Sequence, residues 1–110
     1  EVIIMAWIVL IASGVMESVW ATALGKMDGF SKPLPLIVFI VGLTFSMVGL
    51  GYSMRTIPTG TAYSVWTGIG AALTVIIGIV TKTEPVPILK IIFLVGLVSC
   101  VIGLKVVSNT

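Results

Sequence analysis

The chain is predicted to be an all-α integral membrane protein with four transmembrane helices. Of its 110 residues 58% are hydrophobic and only 9% charged, with a mean hydropathy of +1.27, whereas a soluble domain carries about a quarter charged residues. The few charges also fall where they matter: Lys26, Asp28, Lys32, Arg55, Lys82, Glu84 and Lys90 separate four apolar runs, each near the ~20 residues that cross a bilayer core.

The first span, about 3–25, holds the feature that stands out most. From Val2 to Leu24 the only charged residue is Glu17, and a carboxylate at that depth costs about 3 kcal/mol or more unless it serves a purpose. At helical spacing Ser13, Gly14, Trp20 and Ala21 share the face of Glu17, so that face is small, polar and aromatic. Trp7, near the helix start, reads as an interfacial anchor. A cleaved signal sequence would carry a basic start and would not contain Glu17 and Trp20. Met5 fits a native initiator behind a few extra residues.

The second span, about 34–54, places Gly42, Ser46, Gly49 and Ser53 on one stripe. Such a stripe suits ordinary helix packing in lipid, but Ser46 lies mid-span, where its hydroxyl is expected to donate to the Glu17 carboxylate. The third, about 60–81, carries Tyr63 and Trp66 on one face beside Thr67 and Gly70. Gly68 and Gly70 follow closely, and two such glycines make a bend expected there, at a moving part. The fourth, about 87–107, sets Gly96, Ser99, Cys100 and Gly103 along one side, a stripe for close approach of a second copy. Only 14 uncharged residues separate Lys90 from Lys105, about 21 Å of helix, so their ammonium groups must snorkel to the membrane faces.

The connections GKMDGFSKP, RTIPTG and KTEPVP are short and rich in Gly, Pro and Asp. They force an up-down arrangement with both termini on one side and no soluble domain. Lys26, Lys32, Lys82 and Lys90 on one side against Arg55 and Lys105 on the other give a weak orientation signal, so insertion both ways round is expected.

Enzyme chemistry has little to use here. There is no His, Cys100 is the single cysteine, and neither a metal-ligand set nor a Gly-rich phosphate loop occurs. Ser13, Ser18 and Ser46 lack a visible base. No cofactor is implied, and nucleic acid is not an expected partner. One four-helix chain is too small to enclose a polar pathway, whereas two copies bring two Glu17 carboxylates to one cavity. The pair would titrate as a coupled unit and hold protons or one cation, but not both well. That competition suffices to couple proton entry to cation exit.

The residues also carry a family resemblance. From Met5-Ala6-Trp7 to Gly103-Leu104-Lys105 the chain resembles the small multidrug resistance transporters, through GVMESVW in the first span, RTIPTGTAYSVWTGIGA across the second loop and third span, TEP before the fourth and GLK at its end. Trp20, the WTGIGA segment and the terminal GLK are most similar to the guanidinium-exporter subtype. The resemblance implies an antiparallel, dual-topology, eight-helix homodimer in the bacterial plasma (inner) membrane, exchanging protons for a small cation. Glu17 would be the shared proton and substrate site, with Trp20, Ser46, Tyr63 and Trp66 around it. Gly68 to Gly70 would form the bend and Gly96 to Gly103 the dimer contact. Two positions depart from the family pattern: Lys26 stands one residue later than usual, and Ser18 replaces a typical Val, adding a polar group beside Glu17.

Three functions fit. Proton-coupled export of guanidinium or small guanidinylated cations suits paired carboxylates, which match a forked N–H donor. Export of quaternary ammonium and other lipophilic cations would rely on ring faces. A non-transporting subunit would use Glu17 to pair with a partner's basic residue.

Overall fold

The computed structural model describes residues 2–108 and contains four helices: α1 (Val2–Lys26), α2 (Pro33–Ser53), α3 (Thr59–Val80) and α4 (Ile88–Val107). All four are long and apolar enough to cross a membrane. A helix satisfies its own backbone polar groups, which lipid cannot do.

Proline sets where the later helices begin. Pro33 opens α2, and Pro58 and Pro87 directly precede α3 and α4, where a missing N–H is no loss because the first helical N–H groups have no partner anyway. The end of α3 is closed by Lys82, which takes the left-handed conformation at φ 62°, so that Thr83 N–H reaches back to the Gly78 carbonyl at 2.9 Å. Glu84 then folds against Gly78 and accepts from Lys90 Nζ at 3.1 Å, tying the end of α3 to the first turn of α4.

The helices form a slab of 42 × 34 × 18 Å. Within it α1 is central, packed against both α2 and α3, and α4 lies on the outer side of α3 with none of its residues buried. The α1–α2 seam uses the small-residue stripe of α2 in full. A Cβ on Gly42 would press on Trp20 at 3.2 Å, and one on Gly49 would run into Ser13. Ser53 Oγ shares its proton between the Ala6 carbonyl at 3.1 Å and the Gly49 carbonyl of its own helix at 2.9 Å, and Ser46 Oγ donates to the Ser13 carbonyl at 2.8 Å. Both inter-helix pairs are seven residues apart on each helix, so the seam repeats every two turns and holds two backbones close. The buried core, including Trp7, Leu10, Leu50, Ile57, Val65 and Trp66, occupies the half of the slab nearest the chain termini.

Candidate functional site

Glu17 sits mid-way along α1 with its carboxylate against Gly70 of α3. The space it uses exists because Gly70 has no side chain: a Cβ there would lie 2.7 Å from Glu17 Cγ and closer still to the carboxylate itself. A Cβ on Gly14 would likewise lie 2.9 Å from Ile69 Cγ2, so its absence lets α1 and α3 come together one turn earlier. Glu17 Oε1 is buried and has no hydrogen-bond partner among the described residues. A buried acceptor without a partner is costly and calls for an explanation in function. Trp20 Nε1, Thr22 Oγ1 and Thr67 Oγ1 share that condition.

Ser46 and Trp66 are joined directly. The indole Nε1 of Trp66 donates to Ser46 Oγ at 3.0 Å, and Ser46 spends its single proton on the Ser13 carbonyl. The expected donation from Ser46 to the Glu17 carboxylate is therefore not made, because a main-chain carbonyl of the neighbouring helix lies closer at hand. The connection to Glu17 runs through backbone instead: in an α-helix the Ser13 carbonyl is the acceptor for the N–H of Glu17, four residues on.

The aromatic residues divide into two pairs. Tyr63, 54% exposed, lies against Trp66 with ring centroids 5.8 Å apart. Trp20 meets Phe39 of α2 edge-on at 5.9 Å, a partner that spacing within α1 could not reveal. Ser18, expected to add a polar group beside Glu17, is buried with its hydroxyl on the Val15 carbonyl at 2.6 Å and so turns back onto its own helix. α3 stays helical through Gly68 and Gly70, both of which serve close contacts: a Cβ on Gly68 would run into Val101 of α4. Gly96, Ser99, Cys100 and Gly103 are all exposed, and a Cβ on either glycine would meet nothing within 4 Å.

Residues 5–98 match the family described as Small Multidrug Resistance protein. The chain belongs to that family. A guanidinium exporter of Yersinia pseudotuberculosis is 43% identical over 104 residues, covering 94% of this chain and 100% of the relative. Guanidinium exporters of Salmonella typhimurium and Escherichia coli (strain K12) are 41% and 40% identical over 105 residues, covering 96% of this chain and 100% of each relative. With four membrane-length helices, this small multidrug resistance protein is a multi-pass transporter of the bacterial inner membrane.

Proposed function

We propose that this small multidrug resistance protein exports guanidinium or small guanidinylated cations in exchange for protons, working as an antiparallel homodimer with alternating access. The observation that carries the reading is the buried, unpartnered Oε1 of Glu17 lodged against Gly70. A carboxylate so placed binds a proton or a cation in preference to remaining alone. Two such groups, one from each copy, offer the forked acceptors that a planar guanidinium matches. Protons arriving from one side displace the cation, and the cation arriving from the other displaces protons. Since only one kind of occupant is held well, exchange follows without a cofactor. The names of the relatives, all guanidinium exporters, support the substrate.

The ring pairs Trp20–Phe39 and Tyr63–Trp66 favour a second reading, export of quaternary ammonium and other lipophilic cations by cation–π contact. The deciding experiment is transport by purified protein in liposomes under a proton gradient, with guanidinium set against a tetra-alkylammonium ion. Guanidinium is expected to move faster, and Glu17→Gln to stop both, since the amide keeps the shape but neither releases a proton nor neutralises a cation. Preferential movement of the tetra-alkylammonium ion would favour the second reading. Coupled flux surviving in Glu17→Gln would remove Glu17 from its role.

A further inference from the structure

A groove of about 570 Å³ runs between α1, α3 and α4, away from Glu17. Its walls are apolar, with Ile11 and Val15 from α1, Ala72 and Ile76 from α3, and Val98 and Ile102 from α4. Among the described residues its one charged lining residue is Lys105, in the last turn of α4. The Lys105 ammonium lies 4.8 Å from the centroid of the Trp7 ring, which closes the same end. An ammonium has three donors, and the ring takes only one side of it, so the ammonium can still donate to a further acceptor.

The groove is turned away from the surfaces assigned to the rest of the molecule's work. Two helical residues span about 200° of rotation, so Val15 and Glu17 point to opposite sides of α1, and Val98 and Ile102 both lie opposite Cys100 on α4. A second copy meeting the small-residue face of α4 thus leaves the groove open to lipid. Within a bilayer an apolar groove open to lipid is covered by acyl chains, and the Lys105 cation at its end adds a reason for one class of lipid over another. Basic pockets between transmembrane helices hold anionic headgroups in this way.

We propose that the groove binds an anionic glycerophospholipid, with one acyl chain along α1, α3 and α4 and the phosphate held by Lys105. Native mass spectrometry of the full-length protein released from detergent tests it, with phosphatidylglycerol offered against phosphatidylcholine of identical chains. The wild type is expected to retain phosphatidylglycerol about fivefold better, the worth of one Lys facing an anionic surface. Lys105→Gln is expected to erase that preference, whereas Val98→Trp, which fills the groove from an exposed position, should lower retention of both lipids. Lys90→Gln, whose ammonium is engaged by Glu84, should leave the preference intact. Equal retention of the two lipids by the wild type, a preference that survives Lys105→Gln, or an equal loss in Lys90→Gln would overturn the assignment. So would displacement of the lipid by inorganic phosphate, which would make the site one for a free anion.

Discussion

The Trp66 indole N–H and the Ser46 hydroxyl stand 3.0 Å apart, and the same hydroxyl donates onward to the Ser13 carbonyl at 2.8 Å. One chain of hydrogen bonds thus links α3 to α2 to α1, and it ends on the carbonyl that accepts the Glu17 N–H in the helix. Ser46 is buried completely, so neither bond competes with water. The position of the Trp66 ring, against which Tyr63 lies tilted by 35°, is therefore fixed relative to the turn of α1 that carries the carboxylate.

Ser46→Ala should accordingly act through Trp66. The change leaves a buried indole N–H without an acceptor and frees the Ser13 carbonyl, a loss of about 1–3 kcal/mol. Thermal unfolding in detergent should fall by a corresponding amount. Transport of guanidinium and of a bulky aromatic cation should decline to a similar degree, since both need the ring in place. A loss confined to guanidinium would mean that the hydroxyl leaves Trp66 and serves Glu17 during the cycle.

Gly70→Ala and Gly14→Ala should fail in different ways. At Gly70 the added methyl meets the far end of the Glu17 side chain, which is free to move, so the protein should fold while the carboxylate is displaced. Guanidinium affinity should drop by about tenfold, or ~1.4 kcal/mol, with little change in melting temperature. At Gly14 the methyl meets Ile69 Cβ at 3.0 Å and the Trp66 carbonyl at 3.4 Å, next to backbone that yields poorly. There the cost should appear as roughly 1–3 kcal/mol of stability. Calorimetric titration and thermal melts of the two variants separate these outcomes.

Fold class was legible because charge and hydropathy act locally along the chain. Proline and glycine in the three connections, and the isolation of Glu17 in an apolar run, are read from neighbours in sequence. The partner of Ser46 was not legible, since a hydroxyl takes whichever acceptor packing brings nearest, and the seven-residue register of the α1–α2 seam supplies a carbonyl before the carboxylate. Phe39 on Trp20 and Lys105 on Trp7 are likewise products of which helices come together. Ser18 shows the limit from the other side: its place beside Glu17 in sequence says nothing of a hydroxyl that bonds to the turn behind it.

Guanidinium binding should weaken as pH falls. In the proposed mechanism protons and cation compete for the same two Glu17 carboxylates, and each protonation removes a charge and an acceptor that the cation needs. By linkage, the guanidinium Kd should rise by up to about tenfold per pH unit for each proton displaced. A Kd that stays flat through the pH range in which transport is proton-driven would separate proton binding from substrate binding.

Both orientations should be found in one membrane. Lys26, Lys32, Lys82 and Lys90 flank one end of the bundle and Arg55 and Lys105 the other, a weak bias for fixing insertion. One inverted copy against another makes the inward-open and outward-open states equivalent, as in inverted-repeat transporters. Single cysteines placed at Lys32 and Arg55 in a Cys100→Ser background should each be labelled from both sides of the membrane in intact cells. Labelling of each from one side alone would refute dual insertion.

In the proposed dimer, Gly96→Leu and Gly103→Leu should each break the contact between copies while sparing the protomer. The two glycines are seven residues apart and so share one face of α4, which packs mainly on α3 within the chain and leaves them exposed. A Cβ at either position meets nothing within 4 Å, so nothing in the protomer resists a larger side chain. Leucine is moreover the better helix former, by roughly 0.8 kcal/mol over glycine, so α4 itself should not be weakened. Between two copies the effect is opposite. Association of helices in lipid depends on van der Waals approach of backbones, which glycine permits and leucine blocks. Light scattering in detergent should show monomers with unchanged helical circular dichroism, and coupled transport should be lost with the dimer. Dimers persisting in both variants would place the contact between copies on another face.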